Sequence, residues 1–232
     1  MANPIAVIPA RGGSKRIEGK NIKPFHGRPM IEWPIATALA SSLFEHVVVT
    51  TDDEAIAQVA RDAGAATPFL RDPSLADDHT GTTEVIADAV ARLSLADDTP
   101  VCCIYATAAF VTAPHLRAGL AAVTDGARWS FSVGSHRAPI DRAYVMRDGR
   151  LQARSPEHME MRSQDLEPTF FDAGQFYWAT AATWRDPNAR VWDEAVGVEI
   201  EAERCIDIDS PEDWRFAHRM FALLEQCHDG DV

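Results

Sequence analysis

The stretch Ile5-Ala-Val-Ile-Pro-Ala-Arg-Gly-Gly-Ser-Lys-Arg-Ile-Glu-Gly-Lys-Asn-Ile-Lys23 decides the fold of this chain. Its first four residues form a short apolar run closed by Pro9, a pattern typical of a strand buried in the centre of a sheet. A loop that contains three glycines and several Lys and Arg residues follows directly. Ligands of open α/β sheets bind beyond the carboxyl ends of the strands, so this loop is predicted to meet a ligand.

The loop is positive although the chain is acidic. The net charge is −13, whereas residues 11–28 contain six Lys or Arg and only one acidic residue. The acidic total argues against nucleic acid or anionic membrane as a general partner, and the local patch favours a small anion. Glycine N–H groups, a forked Arg11 and a Lys20 point charge would suit a triphosphate. A solvated basic loop is the alternative, and the P-loop and GxGxxG patterns are absent.

Strand-like and helix-like segments alternate along the rest of the chain, which predicts a single α/β domain with a mainly parallel sheet flanked by helices. The strand-like segments are 46–50, 67–70, 101–105, 129–133, 175–179 and 205–209. The helix-like segments are 30–42, 54–63, 83–94, 114–123 and the residues after Ser210.

Residues 135–168 interrupt this alternation. The segment is polar, contains six arginines, and includes a hairpin-like pattern around Asp148-Gly149. It predicts a small protruding arm. A surface insertion and an arm for dimerisation or substrate covering both remain open.

The four cysteines include no CxxC pair, so no zinc or thioredoxin-type site is predicted. The chain shows no signal-peptide pattern and no apolar run of about 18 residues. We therefore expect a cytoplasmic protein that has neither a membrane nor a nucleic acid as partner.

The loop also carries a family resemblance. Ala10-Arg-Gly-Gly-Ser-Lys-Arg-Ile-Glu-Gly-Lys-Asn21 resembles ARxGSKRIPGKN, the N-terminal signature of the sugar-acid cytidylyltransferases, which include the CMP-N-acetylneuraminate synthetases. Glu18 departs from the usual Pro. Thr50-Thr-Asp-Asp53 resembles the family's STDD segment, Phe69-Leu-Arg-Asp-Pro-Ser-Leu-Ala-Asp-Asp78 its RPxxLA segment, and Ile206-Asp-Ile-Asp209 its closing metal motif.

The resemblance implies a Rossmann-like nucleotidyltransferase domain over residues 1–232 that binds CTP. For Arg71 a purely structural role is the alternative, and for Thr82 an N-cap of the following helix. The implied nucleotide-binding residues are Ala10, Arg11, Gly12, Lys20, Asn21, Arg71 and Thr82.

Asp207 and Asp209 are the candidate metal ligands. On a strand, residues at this spacing share a face, and Mg²⁺ prefers one or two carboxylates together with phosphate oxygens and water. In isolation this pair could be simple loop polarity, and helix capping explains the rival pair Asp52 and Asp53. The resemblance implies Mg²⁺ on Asp207 and Asp209. It also implies catalytic roles for Arg11, Lys20 and Asp209.

Two further segments concern the second substrate. Tyr105-Ala-Thr-Ala-Ala-Phe110 departs from the QPTSPLR of sialic acid synthetases and resembles the YATAPF of pseudaminic acid cytidylyltransferases, with Ala109 in place of Pro. The stretch from Arg162 to Trp178 resembles that subfamily's RSQDLEPxxxDAGQFYW. The implied substrate-binding residues are Thr107, Phe110, Arg162, Gln164, Gln175 and Tyr177. Strand alternation places Phe176 and Trp178 on the face opposite Gln175 and Tyr177, so at most one of these sets can line the pocket. The alternative is that residues 176–178 all pack in the core.

The resemblance implies transfer of CMP from CTP to the anomeric hydroxyl of a nonulosonic acid, in the first place pseudaminic acid. N-acetylneuraminate, legionaminate and Kdo are alternative substrates, and a non-catalytic nucleotide-binding domain is an alternative of another class. A dinucleotide-dependent oxidoreductase is disfavoured because GxGxxG is missing. Together with the arm, the resemblance also implies a homodimer.

Overall fold

The computed structural model describes residues 2–77 and 80–229, with the backbone alone at 227–229. The ends of the predicted domain, Met1 and 230–232, lie outside the described residues. The strands are β1 (Ile5–Pro9), β2 (Pro24–Phe25), β3 (Arg28–Pro29), β4 (His46–Thr50), β5 (Pro100–Ile104), β6 (Trp129–Ser135), β7 (Tyr144–Arg147), β8 (Arg150–Ala153), β9 (Phe170–Thr180) and β10 (Ala195–Glu199). The α-helices are α1 (Glu32–Ala40), α2 (Glu54–Asp62), α3 (Thr82–Arg92), α4 (Ala113–Thr124), α5 (Ala181–Arg185) and α6 (Pro211–Asp229).

The main sheet has six strands in the order β10-β6-β9-β5-β1-β4. β1 pairs in parallel with β4 and β5, and β10 pairs in parallel with β6. β9 is antiparallel to both of its neighbours, β5 and β6. The predicted α/β fold with a mainly parallel sheet is confirmed. The carboxyl ends of β1, β4 and β5 meet at one edge, where the glycine-rich loop begins.

Helices cover both faces of this sheet. One core cluster joins Ala6 and Ile8 to α1, α2 and α4, and another joins Ile5 and Val7 to α3 and α5. Alternate residues of β1 therefore enter opposite cores, which explains why the strand is apolar at every position. Within the described ranges, no helix is long and apolar enough to cross a membrane.

Two of the predicted strands are wrong. Residues 67–70 lie in no named strand, and the one isolated bridge described within the segment joins Leu70 to Thr51. Residues 205–209 also lie in no strand, although Ile206 and Ile208 are buried, Asp207 between them is exposed and Asp209 after them is half-buried. These isoleucines pack beneath α6 instead of entering the sheet. Period-two burial needs only an extended chain on an apolar surface, so it does not require a strand partner.

The predicted arm is present between β6 and β9. Its hairpin β7–β8 turns at Asp148 and Gly149, which have φ values of 49° and 73°. Positive φ at both central residues is the geometry of a two-residue type I′ turn, as the Asp-Gly pair predicts. Large apolar side chains of this hairpin are exposed: Tyr144, Met146 and Leu151.

Candidate active site

Contacts with the end of β4 shape the loop after β1. Ala10 is buried, and its N–H donates to the Thr50 carbonyl over 3.0 Å. The N–H of Gly12 donates to Asp52 Oδ1, also over 3.0 Å. A Cβ at Gly12 would lie 2.6 Å from Asp53 Oδ2, so this position needs glycine for the close approach of the two segments. The Gly12 N–H is therefore engaged within the protein, contrary to its expected role as a phosphate donor.

Further along, the loop turns onto a distant part of the chain. Gly19 adopts a left-handed conformation with φ of 59°, and a 3₁₀ turn follows at Lys20–Ile22. The turn directs Lys20 Nζ to the Ile208 carbonyl at 2.7 Å and to Asp209 Oδ1 at 3.3 Å. The predicted nucleotide-binding lysine and the predicted metal ligand thus lie side by side.

The aspartate pair is held from both sides. Ile206 and Ile208 are buried on either side of Asp207, while Asp213 accepts hydrogen bonds from the N–H groups of Asp209 and Ser210 at the start of α6. Arg16 Nη2 lies 3.0 Å from Asp209 Oδ2. The sequence therefore predicted the cap of α6 and the alternation of buried isoleucines with aspartates correctly, although the segment is not a strand.

The aspartates can be tested against a divalent cation. Partial burial, and then the neighbouring carboxylate of Asp209, raise the pKa of Asp207, as expected where negative charge is incompletely balanced. Among the described residues, no group of three or more His, Cys, Asp or Glu side chains is arranged to hold a metal. The protein can thus offer two carboxylates, the number that Mg²⁺ accepts when phosphates and water complete its shell.

A cationic cavity of about 450 Å³ opens beside the loop. Its walls include five of the predicted or neighbouring polar residues: Arg11, Lys15, Lys20, Asn21 and Thr107. Asn21 is buried, and its Nδ2 donates to the Arg11 carbonyl over 2.9 Å, while Arg11 Nη1 donates to the Asp77 carbonyl over 2.8 Å. Asn21 therefore orders the backbone that presents Arg11 to the cavity.

Asp52 joins two of the predicted nucleotide segments, a role that the sequence interpretation missed. Its Oδ1 accepts from Gly12 and lies 3.6 Å from Arg71 Nη2. Arg71 is 4% exposed, and burial lowers its pKa while Asp52 opposes that shift. Helix capping explained only Asp53, whose Oδ1 accepts from the first N–H groups of α2. Asp52 follows a buried strand and does not cap α2. This combination was the sequence signal that could have revealed its role.

A smaller cavity of about 250 Å³ brings Arg11, Arg71 and Thr82 together. Thr82 is the first residue of α3, and Gly81 holds the N-cap position, so the N-cap alternative for Thr82 is wrong. Thr82 Oγ1 lies 3.1 Å from the hydroxyl of Tyr105. The predicted nucleotide residues therefore line two adjoining cavities around Arg11.

An aromatic cavity of about 470 Å³ adjoins these two and shares Tyr105 as a wall. The Tyr177 hydroxyl donates to Asp172 Oδ2 over 2.7 Å, and the rings of Tyr105 and Tyr177 lie 5.3 Å apart. Burial raises the pKa of both tyrosines, so both remain neutral hydrogen-bonding groups near neutral pH. Trp192, 74% exposed, forms part of the rim. The sequence interpretation named Tyr177 but missed Asp172 and Trp192.

Five of the six predicted substrate residues do not line this aromatic cavity, and one of them, Thr107, lines the cationic cavity instead. Phe110 is 1% exposed and packs in the cluster beneath α6. Gln175 is also 1% exposed, and its Nε2 donates to the Arg204 carbonyl. Arg162 and Gln164 are exposed on the arm, where Arg162 pairs with Asp165 at 3.4 Å.

Strand alternation explains Tyr177 but not Gln175. Phe176 and Trp178 enter the core on the other face, as predicted. The register between β6 and β9 shifts between Phe131 and Val133, and the N–H groups of Gln175 and Phe176 both donate to Ser132 Oγ. The period-two rule stops at this irregularity, so Gln175 does not share the environment of Tyr177.

Comparisons with known proteins identify the family of this chain. Residues 5–139 match the family described as Cytidylyltransferase. The chain is 34% identical over 223 residues to the pseudaminic acid cytidylyltransferase of Campylobacter jejuni subsp. jejuni serotype O:2, which covers 94% of this chain and 96% of that protein. It is 33% identical over 220 residues to the N-acylneuraminate cytidylyltransferase of Oncorhynchus mykiss, covering 92% of this chain and 49% of that protein.

A solved structure of CMP:2-keto-3-deoxy-manno-octonic acid synthetase complexed with CTP has a TM-score of 0.72 with this chain, covering 96% of this chain and 100% of that one. At 18% identity this likeness shows the fold. The family match includes the glycine-rich loop and the ends of β1, β4 and β5, and the Campylobacter jejuni relative extends the similarity over nearly the whole chain. The chain therefore belongs to the cytidylyltransferase family of enzymes.

Proposed function

We propose that this chain transfers CMP from CTP to the anomeric hydroxyl of a nonulosonic acid, with pseudaminic acid as the preferred substrate. The observation that carries the proposal is the wall formed by Tyr105 between a cationic and an aromatic cavity. A triphosphate needs dense positive charge, and an acylated sugar acid needs apolar faces with a few oriented polar groups. The name of the Campylobacter jejuni relative supports pseudaminic acid. A reaction that consumes CTP also fits the cytoplasmic location expected from the sequence.

In this reaction the anomeric oxygen attacks the α-phosphorus of CTP, the bond from that phosphorus to the pyrophosphate oxygen breaks, and the hydroxyl proton is released. Arg11 and Lys20 line the cationic cavity, where they would bind the phosphates and stabilise the departing pyrophosphate. Tyr105 and Tyr177 would orient the sugar acid as neutral hydrogen-bonding groups. Their raised pKa values make both poor general bases. Holding the two substrates in contact would supply much of the rate enhancement.

Asp207 and Asp209 would hold Mg²⁺. When bound there, the ion would neutralise phosphate charge and lower the pKa of the attacking hydroxyl. Arg16 and Lys20, which contact Asp209, line the cationic cavity, so a metal held by the aspartates would lie next to the bound phosphates. Asp207→Asn and Asp209→Asn are each expected to remove most turnover, and near-wild-type pyrophosphate release by both variants would contradict the metal assignment.

The test of the function is a pyrophosphate-release assay that pairs each nucleoside triphosphate with a panel of nonulosonic acids. CTP with pseudaminic acid should give the highest kcat/KM. Preference for N-acetylneuraminate, legionaminate or Kdo would overturn the substrate choice and keep the chemistry. Release with no pair, from protein that still binds CTP, would instead favour a non-catalytic nucleotide-binding domain.

We also propose that the arm joins two copies of the chain. The exposed Tyr144, Met146 and Leu151 of hairpin β7–β8 form an apolar surface that a second copy would cover. In such a dimer, Arg162 of the arm would be available to the partner's cavity. Light scattering of Met146→Glu and Leu151→Glu should show monomers where the wild type is a dimer, and a monomeric wild type would refute the proposal.

A further inference from the structure

The segment that carries Asp207 and Asp209 lacks the support of a sheet. Residues 205–209 belong to no strand, so their position depends on side-chain burial and on a few hydrogen bonds. At the carboxyl end, the cap of α6 holds Asp209 and Ser210. At the amino end, the carbonyl of Arg204 accepts from the side chain of Gln175 and from the N–H of Ile206.

Gln175 is buried at the junction of three segments. Its main-chain N–H donates to Ser132 Oγ over 3.1 Å, and its carbonyl accepts from the N–H of Tyr105 over 2.9 Å. Its side-chain amide donates to Arg204. One residue thus connects Tyr105, the common wall of the cavities, to the segment that bears the aspartates.

A second contact reinforces this junction. A Cβ placed on Gly174 would lie 3.7 Å from the Asp207 carboxyl carbon, so the backbone before Gln175 packs directly against Asp207. Arg204 itself is tied to the Phe110 carbonyl and to Glu201, and Glu201 pairs with His115 of α4. These surrounding contacts hold the side chain of Arg204, but only Gln175 reaches its main chain from β9 among the described contacts.

We propose that Gln175 is a positioning residue, whose buried amide fixes the Arg204 carbonyl and thereby sets Asp207 and Asp209 relative to Lys20. It does not contact substrate, in contrast to the role expected from the sequence. The consequence for turnover rests on the function proposed above, whereas the consequence for local structure does not.

Gln175→Met is the decisive variant. Methionine has a similar length and volume but cannot donate to Arg204. It also removes Gln175 Oε1, a buried acceptor that has no hydrogen-bond partner in the described structure, so the loss of one bond is partly offset. The melting temperature should therefore stay within about 4 °C of the wild type. Backbone amides of residues 206–209 should exchange hydrogen about tenfold faster in metal-free, nucleotide-free protein.

Ser132→Ala is the matched control, because it removes the acceptor of the Gln175 N–H and leaves the side-chain bond to Arg204 in place. It should leave amide exchange at 206–209 and kcat close to the wild type. In the pyrophosphate-release assay, Gln175→Met should lower kcat about tenfold with little change in the KM for CTP, a split typical of lost transition-state positioning.

The positioning role is overturned if amide exchange at 206–209 is unchanged in Gln175→Met. It is also overturned if Ser132→Ala accelerates that exchange equally. Accelerated exchange with an unchanged kcat would show that the position of this segment does not matter for turnover, and would overturn the proposal as well. If the wild type releases no pyrophosphate, the proposed function fails, and the exchange comparison alone then decides whether Gln175 positions the aspartates.

Discussion

The cationic cavity and the aromatic cavity adjoin at Tyr105 but are built in different ways. Most of the cationic wall comes from one continuous stretch, residues 9–21, whose glycines and basic residues are neighbours in sequence. The aromatic wall collects side chains from separate parts of the chain: α3, Tyr105, β6, β9, α5 and the loop before β10. The first is held by charge and by backbone hydrogen bonds, and the second by burial of rings. Substitutions in the cationic cavity should therefore change the binding of CTP, and substitutions in the aromatic cavity should change the binding of the sugar acid.

Lys20→Met is expected to have the largest effect. It removes a charge from the cationic cavity and the contacts to Ile208 and Asp209, so kcat/KM for CTP should fall about 10²–10³-fold. Binding of the sugar acid alone, measured by calorimetry, should change little. Lys23→Met is the control, because Lys23 lies over the Trp214 ring and does not line the cavity. Equal losses in both variants would mean that total loop charge, and not the position of Lys20, governs the reaction.

Gly12→Ala should come next. The new methyl group would lie 2.6 Å from Asp53 Oδ2, and relief of this clash should cost about 1–3 kcal/mol in the free energy of unfolding and weaken CTP binding. Gly13→Ala is a close control, since a Cβ there meets no atom within 4 Å. Urea unfolding and CTP titration measure both quantities. If the two variants behave alike, the loop does not depend on the close approach to the end of β4.

Tyr177→Phe probes the aromatic cavity. Removal of the hydroxyl leaves Asp172 Oδ2 without its donor, and the KM for the sugar acid should rise about five- to tenfold, while the KM for CTP stays unchanged. Tyr144→Phe, at an exposed position on the arm, should leave both KM values unchanged. A larger change in the KM for CTP than in the KM for the sugar acid would contradict the assignment of the two substrates to separate cavities.

The smallest effect concerns pH. His218 of α6 packs on His26 of the hairpin that follows the cationic loop, with ring centroids 4.7 Å apart. Burial, then His26 and Lys23, lower the pKa of His218 below its ordinary value of about 6.5. The unfolded chain therefore binds this proton more readily, so stability should fall as the pH drops through about 6.5.

His218→Gln should reduce the change in melting temperature between about pH 7.5 and pH 5.5. The control is His46→Gln, since His46 is exposed at the start of β4. A pH dependence that is the same in His218→Gln and in the wild type would assign the effect to other groups.

Much of the fold could be predicted from local patterns. The apolar run of β1, the Asp-Gly turn of the arm and the Ser-Pro start of α6 each depend on residues close in sequence, and all three are present. The two wrong strands, 67–70 and 205–209, have suitable composition but form no continuous ladder in the described structure, where 67–70 contributes only the single bridge of Leu70 to Thr51. Strand pairing is a property of two segments, so one segment cannot reveal it.

The site shows the same division. Residues that act through the loop, such as Arg11, Lys20 and Asn21, lie in the cationic cavity as predicted. Phe110 and Gln175 were assigned to substrate from their place in a motif, yet both are buried. Phe110 is covered by the cluster beneath α6, and Gln175 lies beside the register shift between β6 and β9. The period-two rule accounts for neither feature.

The sequence by itself determined the α/β alternation, the positive glycine-rich loop and the alternation of buried isoleucines with the aspartates. Each of these features depends on residues that are neighbours along the chain, where backbone preference and local charge act directly. Only the tertiary structure decided that Lys20 meets Asp209, that Asp52 joins Gly12 to Arg71, and that Tyr105 stands between two cavities. These contacts join segments far apart in sequence, and burial of the core against both faces of the sheet is what brings them together.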